Sequence, residues 1–506
     1  MTATLAHKAI RNIFFSGLRL LSNSGAAIFT SAIIARTLGP ERMGTYSYTL
    51  WLVGALSIFA NVGLPGAITK YVSEFVGSGH TSTAKQLANR LLRTQLAVAV
   101  VISVVTASCA FFSTAHRSII VLAAIMISAQ ALQQGLNAVL AGLQEFGRIA
   151  LLGFWMGLMQ MACIGVAALL HAGVIGMVWA TLIALWGGTL LFYRSVRDSF
   201  RHLPSDASLP LASTQDALGR VKTFVLTGSY ILLLDTIVWQ RSEVLFLKWY
   251  SLVTQIAFYT IAYSLASKLN DLTTIMSSVM LPRYSESYGR SGLGELRQAF
   301  ITDLKYLQML VVPVCILGVV VAKPAVLLIY GSAYLPMVMP LRILIASVTF
   351  TSMGVVASSL VIGTDKQSFI AKFGTLIAIL NITLDLILIP KHGALGASIA
   401  NSSAQIAGVA GGMAYVLHYI KVGFPWKVTA TIYGAAGLAA GPLAYFSNRL
   451  HPNTAVLAGL LVFGTTLYLV ILAFSGQLTM RTLNTLREAL YGNTDPLERF
   501  KSRDIA

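Results

Sequence analysis

Charged side chains inside long apolar runs are the residues of this chain that could do chemistry. Arg19, Arg241, Lys268 and Arg342 are the basic ones; Asp235, Glu243, Asp271 and Asp385 are the acidic ones. A charge in hydrocarbon is costly, so such residues face a cavity, a partner or a substrate. Arginine suits a phosphate-bearing ligand because its planar fork donates two parallel hydrogen bonds. An acid with no basic partner on its own helix can carry a coupling proton or help hold sodium. Asp235 and Asp385 are of that kind, and Asn381 lies one turn from Asp385. Either acid could equally be held by a serine or threonine hydroxyl. Lys268 sits three residues before Asp271, within ion-pair reach. It is as readily neutralised by that acid as offered to a substrate. Arg241 and Arg342 lie near the boundary of their runs, where snorkelling to the interface also accounts for them.

Helical spacing sorts these residues onto faces. Asn12, Ser16, Arg19, Asn23 and Thr30 fall at steps of 4, 3, 4 and 7, which is one stripe of a helix. Thr260, Ser264, Ser267, Asp271, Thr274 and Ser278 step 4, 3, 4, 3 and 4 along a second. A polar stripe crossing a bilayer should not face acyl chains, so both are expected to line a hydrated cavity. Arg19 lies too deep in its run for easy snorkelling. It is either half of an ion pair with another helix or a cation offered to a substrate.

Membrane helices must position these residues. The chain has 506 residues, 56% of them hydrophobic and 11% charged, and a mean hydropathy of +0.74. Soluble domains carry about 25% charged residues, so a soluble multidomain enzyme, a disordered chain and a disulfide scaffold are excluded. Runs of about 20 apolar residues predict an all-α integral membrane protein with about fourteen spans. They lie at 13–35, 44–66, 91–112, 118–141, 149–170, 173–193, 222–247, 253–281, 300–322, 335–362, 368–389, 393–419, 428–447 and 454–474. Of the 36 Lys and Arg, 25 fall on the side that holds both termini, 7 on the other side and 4 within spans. The positive-inside rule then places both termini in the cytoplasm. Lys8 and Arg11 precede the first run as in a secretory signal, but that run is long and carries Arg19, so a retained helix is expected.

Other chemistries find little support. The basic excess is spread between apolar runs with no basic tail, which argues for orientation and anion handling and against nucleic acid. Cys109, Cys163 and Cys315 lie in apolar runs without a CxxC or Cys/His pair, so no metal site is expected. There is no P-loop, HExxH or GxSxG, and the glycine-rich stretch 289–294 follows a span rather than a strand. No catalytic residue is assigned.

The chain also repeats itself. Leu64-Pro65 followed by Tyr71-Val72-Ser73-Glu74 returns as Leu281-Pro282 followed by Tyr284-Ser285-Glu286. Gly173, Gly176 and Ala180 return as Gly393, Gly396 and Ala400 at one offset of 220, and Gly142 as Gly363 at nearly the same offset. A duplicated set of six spans keeps both copies in one orientation and leaves a cleft between them, where secondary transporters hold substrate. The expected organisation is a six-helix lobe at 1–200, a cytoplasmic linker at 201–221 and a second lobe at 222–421. Two further helices at 422–476 and a cytoplasmic tail at 477–506 complete it.

The string Ala35-Arg36-Thr37-Leu38-Gly39-Pro40-Glu41-Arg42-Met43-Gly44-Thr45-Tyr46-Ser47 resembles the first outer connection of bacterial Wzx-type oligosaccharide flippases. The polar first helix, Gly63-Leu64-Pro65 and the six-plus-six duplication fit the same family, over roughly residues 8–420. It belongs with the MATE multidrug antiporters and lipid II flippases in one superfamily. The resemblance implies two lobes, alternating access and no cofactor beyond a proton or sodium gradient. It implies a polyprenyl-diphosphate-linked oligosaccharide as cargo, crossing the bacterial inner membrane for cell-surface polysaccharide such as lipopolysaccharide. Membrane lipids, a polysaccharide polymerase and export proteins are the implied partners.

Family members often line the cavity with basic residues. Arg19 matches that feature by its place in the first helix; Arg241 and Lys268 match only as basic residues of helices 7 and 8. Lipid II flippases carry a tighter arginine cluster in the early helices than this sequence does. Candidate substrate contacts are therefore Arg19, Asn23, Arg241, Lys268 and Arg342, and candidate ion-coupling residues Asp235, Asp271 and Asp385. A drug or cation antiporter of the same superfamily is the alternative. A membrane polymerase or ligase is disfavoured by the short outer connections.

Overall fold

The computed structural model describes residues 2–61, 63–112, 117–203, 219–222, 224–225, 229, 242–291, 293–364, 366–449 and 454–477; the side chains of 2–24 and of a few later positions lie outside that description. Apolar runs must satisfy their backbone internally in lipid, and here they do so as helices. In chain order these are α1 (Thr2–Asn61), α2 (Leu64–Gly77), α3 (Thr81–Ser108), α4 (Arg117–Gly142), α5 (Phe146–Leu169) and α6 (Gly173–His202). The second half holds α7 (Glu243–Trp249), α8 (Val253–Ser291), α9 (Leu293–Ile329), α10 (Val338–Thr351), α11 (Met353–Gly363), α12 (Gln367–His392) and α13 (Ala394–Ile420). Then come α14 (Trp426–Arg449) and α15 (Thr454–Phe474). No strand occurs among the described residues.

Seven stretches are each long and apolar enough to cross a bilayer, and the bent pair α1–α2 makes an eighth. Most of the other expected spans coincide with helices that are shorter, broken or more polar, and 222–247 lies mostly outside the described residues. The first two expected spans are the two arms of α1. They meet at Gly39, whose φ of 74° breaks the helix just before Pro40, as glycine and proline allow. The expected span at 335–362 is a 3₁₀ turn (Ser332–Met337) followed by α10 and α11, which meet at Ser352.

The repeated glycines sit in comparable local geometry. Gly173 and Gly393 both sit in the left-handed region, with φ of 62° and 54°. A methyl group added at Gly142 would come within 3.0 Å of Thr69 O and of Val72 Cβ; one added at Gly363 would come within 3.2 Å of Tyr284 Cβ. Each repeated glycine therefore lets its helix approach the same repeated segment, α2 in one half and the end of α8 in the other. The copies differ where Gly63, at φ 68°, breaks the chain before Leu64-Pro65, whereas Leu281-Pro282 lies inside the continuous α8.

Helices α1–α6 pack on one another, α8–α13 do the same, and α14 and α15 pack on α9. The halves meet along α1 and α8. At one end they are sealed. Ser31 Oγ and Tyr330 OH are 2.7 Å apart, Tyr334 OH donates to Ala35 O at 2.9 Å, and Arg36 Nε donates to Ile329 O at 2.9 Å. Near the opposite end, ion pairs form within each half: Arg148 with Glu145 and Asp198, and Arg283 with Asp303.

Gly44 is the tightest point of the sealed end, because a Cβ there would run into the backbone carbonyl of Val253. Overpacking such a contact costs about 1–3 kcal/mol. Gly44→Val is therefore expected to open this end. In a Cys109→Ser background, a Ser31→Cys reporter should react with a membrane-impermeant maleimide about tenfold faster in the Gly44→Val protein, the change a shift of ~1.4 kcal/mol produces. Equal rates would show that the seal does not depend on this close approach.

Candidate functional site

The second half buries a polar cluster where α7, α8, α12 and α13 meet. Glu243 of α7 and Asp385 of α12 are both 0% exposed. Tyr259 OH of α8 donates to Glu243 Oε2 at 2.8 Å, and Asn401 Nδ2 of α13 donates to Glu243 Oε1 at 2.8 Å. Asn381 bridges the two acids: its Nδ2 lies 3.1 Å from Asp385 Oδ2 and 3.4 Å from Glu243 Oε1. Gln405 donates to Asn401 Oδ1 at 2.9 Å and fixes that amide. Each member has a local reason to be there. Asn381 and Asp385 are four residues apart on α12 and so share one face. The left-handed turn at Gly393 lets the Ala394 N–H reach Gln255 Oε1 at 3.2 Å, which ties the α12–α13 corner to the start of α8.

Such a cluster can exchange a cation. Two carboxylates removed from water and held close together repel each other. Among the described residues neither acid has an ion-pair partner, and Asp385 Oδ1 is buried without a hydrogen bond. A proton or a small cation taken up between them relieves that charge.

The structure places the sequence-derived candidates unevenly. Asp385 and Asn381 belong to this cluster. Asp271 does not; its Oδ2 lies 3.3 Å from Lys268 Nζ, so these two neutralise one another, each about a third exposed. Arg342 is half-buried on α10, and its Nε donates to Val319 O of α9 at 3.1 Å, which engages it with backbone instead of leaving it free to snorkel. Asp235 and Arg241 lie outside the described residues, as do the side chains of Arg19 and Asn23 on α1. Glu243 was visible in the sequence only as one more acid in a span. Its isolation from bases among the described residues and its three polar partners emerge from helices far apart in the chain.

The first half has a polar interior of a different kind. Gln95 Nε2 donates to Asn61 Oδ1 at 2.6 Å and to Ala131 O at 2.8 Å, and Asn61 Nδ2 donates to Gln134 Oε1 at 2.7 Å. The available sequence signal was carboxamides inside apolar runs.

The comparisons agree with this architecture. The chain is 21% identical over 472 residues to a probable low-salt glycan biosynthesis flippase of Haloferax volcanii, covering 90% of this chain and 93% of that protein. Its fold matches an inward closed lipid II flippase MurJ with a TM-score of 0.67 at 16% identity, over 91% of this chain and 98% of that one. It also matches an inward-facing multidrug resistance MATE family transporter of the MOP superfamily, with a TM-score of 0.62 at 15% identity, over 80% and 98% of the two chains. By their descriptions one is a lipid II flippase and the other a multidrug resistance transporter, and the fold is shared with both. Residues 33–339, more than half of the sequence, match the family described as polysaccharide biosynthesis protein, and to that family this chain belongs.

Proposed function

We propose that the chain is a transporter, not an enzyme, that moves a lipid-diphosphate-linked oligosaccharide between leaflets for cell-surface polysaccharide biosynthesis. The observation that carries this reading is the pairing of two unlike interiors in a duplicated membrane fold. One half buries an acid pair with no ion-pair partner among the described residues, suited to a coupling proton or sodium, and the other holds an uncharged carboxamide network around the buried Gln95 and Asn61. A diphosphate cannot cross hydrocarbon unaided. The polar stripe of α1, with Arg19 and Asn23, would replace its hydration, while the polyprenyl tail stays in lipid. The likeness to the glycan biosynthesis flippase over nine-tenths of the chain supports the cargo class.

The finer assignments belong to the same proposal. Residues 1–200 and 222–421 form the two lobes of a fourteen-span protein, with 422–476 as an added pair. The charge bias puts both termini in the cytoplasm of an inner-membrane protein, so the sealed end faces outward and the cleft inward. Glu243 and Asp385, with Asn381 between them, form the coupling site. Lys268 and Asp271 serve the cavity wall as a neutral pair. A polymerase and export proteins would receive the product.

Deleting the gene is expected to stop surface polysaccharide and to accumulate the lipid-linked oligosaccharide on the cytoplasmic side several-fold, restored by the intact chain. Surface polysaccharide at the parental level would reject the reading. The acid pair alone would also suit a cation antiporter of the superfamily. That reading predicts raised sensitivity to lipophilic cations in the deletion strain and normal polysaccharide.

A further inference from the structure

A cavity of about 320 Å³ lies in the first half between α1, α4, α5 and α6. Its polar wall is four carboxamides: Gln133, Gln134 and Asn137 from α4 and Gln160 from α5. No described residue lining it carries a charge. Phe192, which is buried, and Met156 supply an apolar face. Space is kept by small residues, because a Cβ on Gly157 would come within 3.2 Å of Ala26 Cβ across the cavity wall.

The carboxamides are held in position yet incompletely used. The buried pair Gln95 and Asn61 fixes Gln134 by its side-chain oxygen. Asn137 Oδ1 is buried and has no hydrogen-bond partner among the described residues. Among the described residues Gln133 donates only to the Met156 thioether, a weak acceptor that a better one would displace. A buried polar group without a partner is costly, so the wall favours a guest that supplies both donors and acceptors.

We propose that this cavity is the sugar-recognition subsite, taking one or two uncharged, hydroxyl- and amide-bearing units of the lipid-linked glycan. This rests on the flippase reading. A carboxamide donates and accepts from neighbouring atoms, which matches vicinal hydroxyls and an acetamido group. An apolar face suits the C–H side of a pyranose ring. A diphosphate would call for arginine or lysine in the wall, and a cationic drug for a carboxylate or an aromatic cage. The volume is at the low end of the ~300–1,000 Å³ typical of small-molecule pockets.

The test uses the full-length protein in nanodiscs, titrated with farnesyl diphosphate, with the same lipid carrying one N-acetylglucosamine or one galactose, and with tetraphenylphosphonium. The wild type should bind at least one glycosylated lipid about tenfold tighter than the bare diphosphate, the gain expected of one or two added hydrogen bonds. Gln133→Ala with Gln160→Ala should bring that ratio close to one. Gln160→Met, which keeps length and packing, should lower it in part. A wild-type ratio of one, a double variant that keeps the wild-type ratio, or parallel loss on every lipid would each overturn the sugar subsite. So would tetraphenylphosphonium binding that depends on the carboxamides. If no diphosphate lipid binds the wild type at all, the flippase reading itself fails; equal binding of bare and glycosylated lipids rejects the subsite alone.

Discussion

Glu243→Gln and Asp385→Asn are each expected to cut gradient-driven transport in proteoliposomes by about 100-fold while leaving the protein folded. The two substitutions keep shape and most hydrogen-bonding capacity, and they remove the negative charge that a proton or sodium would compensate. Both side chains are 0% exposed and share the Asn381 amide, so either change also relieves the repulsion between them. Buried ionised pairs are often neutral or destabilising relative to uncharged replacements, by about 1–4 kcal/mol. The melting temperature should therefore hold or rise as transport falls. That opposition separates coupling from structural damage, in which both would drop. A thermal-shift series in sodium chloride against choline chloride, repeated across pH, identifies the ion: the wild-type dependence on sodium or on pH should disappear in both variants. Variants that transport with unchanged ion dependence would remove the pair from the mechanism.

Loss of the α1 cation should be nearly as severe. Arg19→Ala is expected to abolish surface polysaccharide export at unchanged protein level, with Arg19→Lys retaining part of it. A hydrogen bond to a charged group is worth about 1.5–3 kcal/mol, so the alanine protein should bind farnesyl diphosphate roughly 10–150-fold more weakly. Lysine keeps the charge but loses the planar fork, hence the partial phenotype. The binding assay decides between the two roles open to this residue. An arginine that only completes an ion pair with another helix would, when removed, lower the melting temperature and leave diphosphate affinity at the wild-type value. Export at the wild-type level in Arg19→Ala would reject the cationic contact.

Much of the architecture was legible before any coordinates. Apolar runs of bilayer length located the helices. The glycines at 142, 173, 363 and 393 recur at nearly one offset; in the structure two adopt the left-handed region and two permit close helix crossings. Lys268 and Asp271 could be paired on paper because they share one helix. Asn381 and Asp385 could be joined for the same reason. Gly39-Pro40 divides α1 into two arms, as the gap between the first two expected spans implies.

The sites were only half legible. Glu243 gains its meaning from Tyr259, Asn381 and Asn401, which lie 16, 138 and 158 residues further on. Gln134 is oriented by Asn61, 73 residues earlier. Within one helix the sequence determines what lies on a face, because 3.6 residues per turn fixes it. Hydropathy likewise determines that the chain enters a membrane as helices, because lipid leaves the backbone no other partner. Which faces meet was decided by the tertiary structure alone. Packing of helices distant in sequence depends on the shapes of all their neighbours at once, and it was this packing that joined the halves at one end and set an acid pair in one half and a carboxamide-lined cavity in the other.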